Sequence, residues 1–67
     1  MPGHEPLAGA AARMRFNDIT SVAVVDGGDV VIGVITEQDI VRAVADGADT
    51  RTTPVAEYAT LETVKPR

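Results

Sequence analysis

Gly33-Val34-Ile35-Thr36-Glu37-Gln38-Asp39 joins an apolar run, Val30 to Ile35, to an amphipathic one, and this junction decides the fold. The run before it has the length and β-branched content of a strand. The residues after it repeat apolar side chains at helical spacing, so the chain is predicted to pass from strand to helix here, with Thr36 at the N-cap and Asp39 at N3. Backbone N–H groups at a helix start point outward and the helix dipole favours an anion. The junction is therefore the first candidate for a binding site.

Working upstream, Asp26-Gly27-Gly28-Asp29 is a turn signal, and Ser21 to Val25 before it is β-branched and apolar. The two runs and their turn predict an antiparallel hairpin. Further back, Leu7, Ala10, Ala11 and Met14 recur at i, i+3, i+4 and i+7, giving one apolar face to a helix that begins with Pro6 as its first residue and ends near Phe16. Gly9 weakens that helix and Asn17-Asp18 supplies a turn. The residues from Met1 to Glu5 contain Pro2 and Gly3 and are expected to be loose.

Downstream, Ile40, Ala43 and Val44 share a face of the second helix, with Gly47 placed for the C′ position. Thr53-Pro54 reads as an N-cap and N1 pair opening a short helical turn through Tyr58. Leu61 to Lys65 then has the makings of a short strand, ended by Pro66. The expected fold is α/β (α+β): helix-strand-strand-helix, with a small antiparallel hairpin packed on two helices.

The hairpin is apolar on both faces. Val22 and Val24 point one way and Ala23 and Val25 the other, and Val30, Val31, Ile32, Val34 and Ile35 spread over both. Two helices cover one face of so small a sheet, so the other is expected to meet a second domain or a second copy of the chain. Length argues the same way. A domain of 67 residues buries only about 60% of its unfolded surface, and with no cysteine it lacks a disulfide or thiolate metal site to compensate. Association is the remaining aid, and a homodimer is the simplest form of it.

The composition excludes several functions. Net charge is −4 and the six basic residues are scattered, so there is no nucleic-acid footprint. One Phe, one Tyr and no Trp provide no stacking platform for single strands. No apolar run has the length of a membrane span, and the amino end lacks a signal-peptide pattern, so a cytoplasmic location is expected.

With the elements in order, AAARM (10–14), ITSVAVVD (19–26), VIGVITEQDIVRAV (31–44) and TTPVAEYAT (52–60) together resemble the CBS domain family, the cystathionine-β-synthase-type module. The resemblance covers roughly Leu7 to Thr60, and its most specific part is the VVD, turn, VIGVIT-x-x-D succession. It implies modules that pair sheet against sheet into a Bateman module, which accounts for the two apolar faces. It also implies an adenosine-containing ligand, such as AMP, ADP, ATP or S-adenosylmethionine, in the cleft between two modules, with no catalytic cofactor and with regulation of an attached partner. By the same resemblance Thr36 contacts phosphate, Asp39 holds the ribose hydroxyls, Val34 lines the adenine, and Ile19 and Thr20 approach the base or ribose from the other side.

The chain departs from that family at both ends. The residues before Leu7 do not supply the short strand that usually opens a module, and LETVKP (61–66) after TTPVAEYAT looks like the opening of the next one. The expectation is a flexible segment 1–6, a module core 7–53, and a linker with a possible strand at 54–67. That last strand belongs to the next module or takes the place of the missing strand, in its own module or a neighbour's.

Thr36 and Asp39 carry a second reading. Thr-x-x-Asp at a helix start is a capping box, in which the hydroxyl accepts from the N3 amide and the acid reaches back to the N-cap amide. On the residues alone capping leads; the resemblance sets ligand binding beside it, and one carboxylate can do both. His4 has no Cys or second His with which to hold a metal. Asp26 and Asp29 are turn formers before they are cation ligands. Tyr58 and Met14 read as packing residues, and Arg51 to Thr53 as a polar linker. No nucleophile sits beside a base, so the chain is not expected to be an enzyme. Two functions remain: a regulatory module sensing an adenosyl compound, or a pure association module whose site is vestigial.

Overall fold

A computed structural model of the chain describes residues 1–61. In chain order it has helix α1 (Leu7–Asn17), strand β1 (Ser21–Val25), strand β2 (Val31–Thr36), helix α2 (Glu37–Ala45), a 3-10 turn at Val55–Glu57 and a short strand β3 (Thr60–Leu61). Among the described residues the strands form one antiparallel sheet in the order β1-β2-β3. This is the expected α+β arrangement, two helices on a hairpin, with a third strand added beside β2.

The apolar face of α1 is buried as its spacing requires: Leu7, Ala10 and Met14 are inside and Ala11 is half-buried. Pro6, expected as the first helical residue, is instead the N-cap, with an extended ψ of 156°. The cause lies across the chain. The Leu7 N–H donates to Thr53 O at 2.9 Å and the Ala8 N–H to Thr50 O at 2.8 Å, so loop carbonyls satisfy the helix start in place of a side-chain cap. At the other end Asp18 takes a left-handed φ of 56° and its N–H donates to Met14 O.

In the hairpin Asp26 does the work of the turn. Its Oδ1 accepts from the Gly28 N–H at 2.8 Å and the Val30 N–H at 3.1 Å, and its own N–H donates to Val30 O at 2.9 Å. Val30 thus belongs to the turn, and β2 runs one residue later than the expected Val30 to Ile35. The left-handed residue here is Asp29, φ 63°, rather than either glycine. The register passes from Val24↔Gly33 to Val25↔Val31, which makes Ile32 the extra residue of a bulge.

Helix α2 begins at the predicted place and ends with Gly47 at φ 82°, a conformation that costs a residue with a Cβ but not glycine. Its inner stripe is narrower than expected. Asp39 and Ala43 are buried and Ile40 is half-buried, but Val44 is exposed. Val44 is turned about 100° from Ala43, so it falls on the flank with Val41, which is also exposed.

Beyond α2 the chain returns to the core through Val55, which is fully buried. Pro54, expected at N1 of a turn capped by Thr53, is itself the N-cap, with no side-chain cap bond. Again a carbonyl elsewhere takes over: the Val55 N–H donates to Glu5 O at 2.8 Å. Residues 1–5 differ correspondingly from a loose tail. The Val25 N–H donates to Met1 O at 2.8 Å and the Ala56 N–H to Gly3 O at 3.0 Å, and Pro2 forms a parallel bridge with Val25. Of the strand expected at Leu61 to Lys65, Leu61 pairs with Gly33; Glu62 to Lys65 lie outside the described residues.

The core is a single cluster of Leu7, Ala10, Met14, Val24, Ile35, Ala43 and Val55. Val24, Ile35 and half-buried Val22 lie on the side of the sheet that both helices cover. On the opposite face Ala23 and its partner Val34 are exposed. One apolar face of the hairpin is therefore filled and the other is left open, as their alternation demands.

Candidate functional site

The site assembles where β2 runs into α2, beside the entry to β1. Ser21 is paired with Thr36, and the Glu37 N–H donates to Thr20 O at 3.1 Å. These contacts bring Ile19 and Thr20 to the helix start. Val34 and Thr36 are alternate residues of β2, opposite Ala23 and Ser21, so these four share the open face of the hairpin.

Thr36 and Asp39 make the full capping box. The Asp39 N–H donates to Thr36 Oγ1 at 3.2 Å, and the Thr36 N–H donates to Asp39 Oδ2 at 2.9 Å. The Thr36 hydroxyl also donates to Oδ2, at 3.0 Å. Asp39 is only 4% exposed. Its other oxygen, Oδ1, accepts from Arg42 Nη2 at 2.9 Å. A buried carboxylate is stable only when its oxygens are hydrogen-bonded, and these three donors engage both, two on Oδ2 and one on Oδ1.

Electrostatics at this helix start is mixed. Glu37 and Asp39 in the first turn complement the helix dipole, and the amides of Thr36, Glu37 and Asp39 already donate within the chain. An anion arriving here competes with groups in place rather than meeting a bare helix end.

Two open depressions adjoin the box. One, of about 500 Å³, lies between the end of α1 and the start of α2 and includes Met14, Asp18, Ile19, Thr20, Glu37 and Ile40 in its lining. The other, of about 540 Å³, is lined by Thr20, Ser21, Thr36, Glu37 and Gln38. Thr20 and Glu37 belong to both. Of the residues singled out in the sequence, Ile19, Thr20 and Thr36 line these depressions, whereas Asp39 lies beneath the helix start and Val34 sits up-strand on the open face.

Arg42 and Tyr58 join the site without having been singled out for it. Arg42 Nη2 also donates to Tyr58 O at 3.2 Å, and its guanidinium carbon lies 5.9 Å from the centre of the Tyr58 ring, within cation–π range. The Tyr58 hydroxyl donates to Asp46 Oδ2 at 3.0 Å. That bond, with the Asp46 charge, holds the phenol above its ordinary pKa of 10.0. The i, i+3 spacing of Asp39 and Arg42 was a readable signal for the ion pair; the Tyr58 contact spans sixteen residues and had none. Among the described residues no three His, Cys, Asp or Glu side chains gather as a metal site needs.

The family model described as CBS domain matches residues 2–46. Among solved structures, Hypoxic Response Protein I with two coordinated zinc ions is 35% identical, with a TM-score of 0.83 over 88% of this chain and 50% of its own. The CBS-domain containing protein ATU1752 from Agrobacterium tumefaciens is 31% identical, with a TM-score of 0.85 over 98% of this chain and 50% of its own. This chain thus spans half the length of each. The CBS domain protein PAE2072 from Pyrobaculum aerophilum, complexed with AMP, shares the fold at 22% identity, with a TM-score of 0.84 over 91% of this chain and 47% of its own. No curated protein matches the sequence.

Proposed function

This chain belongs to the CBS domain family, and from that premise we propose that it is a regulatory module that senses an adenosyl compound in a cleft completed by a second module. CBS domains are generally regulatory rather than catalytic, and they work in pairs. The observation that carries the reading is the approach of Ile19 and Thr20 to the helix start that Thr36 and Asp39 cap, at one edge of an open, apolar sheet face. In this assignment Asp39 takes the ribose hydroxyls, Thr36 the phosphate, Val34 the adenine, and Ile19 and Thr20 the other side of the nucleoside. The AMP held by the Pyrobaculum protein supports that ligand class.

The second module covers the face that Ala23 and Val34 leave open, and a second copy of this chain is the simplest candidate. Ligand acts by population shift, favouring one relative arrangement of the two modules because it contacts both. Among the described residues no helix is long and apolar enough to cross a membrane; the reading places the module in the cytoplasm, where adenine nucleotides are.

A second reading, an association module with a vestigial site, draws on the full set of partners that Asp39 already has. Calorimetry with AMP, ADP, ATP and S-adenosylmethionine, together with sedimentation of the purified protein, separates the two. Heat with one of the four that disappears in Asp39→Ala is the expected result. No heat with any, from a dimer that persists, overturns the sensing reading in favour of association.

A further inference from the structure

Between Thr36 and Asp39 sits Glu37, a charged residue with no part in the nucleoside contacts. Its N–H donates to Thr20 O at 3.1 Å, and the residue lines both depressions beside the capping box. It is exposed, and among the described residues none of the ion pairs includes it. Its carboxylate is therefore an uncompensated negative charge in the wall of the site.

The depression that Thr36 lines is otherwise neutral. Thr20, Ser21, Thr36 and Gln38 bring hydroxyls and an amide to it, all able to donate, and among the described residues Glu37 is the one charged group in its lining. The arginines of the described residues are engaged or elsewhere. Arg42 bonds to Asp39 and Tyr58, Arg13 and Arg51 pair with Glu5 and Asp49, and Arg15 lines the neighbouring depression together with Asp18. The amides of Thr36, Glu37 and Asp39 already donate within the chain. Neutral donors can hold one phosphate, but each further phosphate adds charge that nothing in this wall offsets and that Glu37 repels.

We propose that Glu37 is a specificity-determining residue that restricts the adenosyl ligand to one phosphate, favouring AMP over ADP and ATP. It works by repulsion rather than by a contact with AMP, since specificity is a difference of affinities and an unpaired like charge lowers only the affinity for the longer nucleotides. ADP and ATP carry about one and two more negative charges than AMP, and each charge within about 6–8 Å of the carboxylate weakens binding about two- to threefold in water before salt screens it. The proposal rests on the assignment of Thr36 to the phosphate.

The test is calorimetry of AMP and ATP on the purified protein and on Glu37→Gln, with EDTA present so that no divalent cation masks the phosphates. The parent protein is expected to bind AMP more tightly than ATP, and Glu37→Gln is expected to improve ATP relative to AMP by about two- to tenfold. Raising the salt should narrow the gap in the parent, which reads the same repulsion without a substitution if the Gln variant fails to fold. Glu37→Asp keeps the charge and should keep the preference for AMP. A parent that does not prefer AMP, a ratio that Glu37→Gln leaves unchanged, or an Asp variant that behaves like Gln overturns the role of Glu37 and leaves adenosyl sensing standing. Failure of the parent to bind AMP, ADP, ATP and S-adenosylmethionine alike overturns the sensing reading and this proposal with it.

Discussion

Replacing Asp39 with Ala tests how much of the fold hangs on one carboxylate. The side chain is 4% exposed and accepts from Thr36 N–H, Thr36 Oγ1 and Arg42. The Arg42 pair is half in solvent and contributes only a few tenths of a kcal/mol. The bonds from Thr36 matter more, because they are charge-assisted and their loss leaves a part-buried N–H without its acceptor. Bonds to charged groups contribute about 1.5–3 kcal/mol, so a loss of about 2 kcal/mol is expected, more than the ~1 kcal/mol of an isolated cap. Small domains have only ~3–5 kcal/mol in total, and each kcal/mol shifts Tm by about 4–8 °C at this size. Asp39→Ala should therefore melt roughly 8–16 °C lower, while Asp39→Asn, which keeps one acceptor, should lose about half as much. Urea unfolding read by circular dichroism measures both, with an unchanged m value marking a pure stability effect. A loss for Asp39→Ala below about 0.5 kcal/mol, the range of ordinary surface changes, would refute the argument that these bonds hold the start of α2.

Gly33 and Tyr58 give two further predictions. A Cβ at Gly33 would run into Thr60 O and would lie 2.8 Å from Leu61 Cα; both are backbone, so Gly33→Ala is expected to push β3 off β2 at a cost of about 1–3 kcal/mol. Faster amide exchange at Thr60 and Leu61 is the readout, and unchanged protection there contradicts the close approach. The Tyr58 phenol, held up by its bond to Asp46, should titrate above its ordinary 10.0. Because the folded pKa is the higher one, its contribution to stability is full below the unfolded value and is lost as pH rises through the folded value. Stability should thus be insensitive to Tyr58 up to about pH 10 and decline above it, and Asp46→Asn should bring the phenol's absorbance midpoint back down; a midpoint that does not move disproves the bond's role.

The elements themselves were readable because each rests on local chemistry. Thr36 and Asp39 announce a helix start through side chains three residues apart, and the box forms as their spacing requires. Asp26 builds the hairpin turn with its own carboxylate, and Gly47 takes the left-handed C′ position. Apart from Val30, which the Asp26 turn takes from β2, the failures are non-local. Pro6 and Pro54 are N-caps rather than first helical residues because Thr50, Thr53 and Glu5, remote in sequence, supply the carbonyls that meet the next amides. Val44 has the right period and the wrong angle, since the sheet covers only the stripe through Asp39 and Ala43.

The candidate site divides along the same line. The strand-to-helix junction, the capping pair and an apolar hairpin with one face to spare follow from local pattern, because spacing of 2.0 and 3.6 residues places side chains without knowledge of the rest of the chain. That Ser21 lies across from Thr36, that Asp39 is enclosed, and that Arg42 bridges it to Tyr58 came from tertiary packing. Those depend on which segments pack together. Packing is set by the shape and burial of the whole core, which no local pattern encodes.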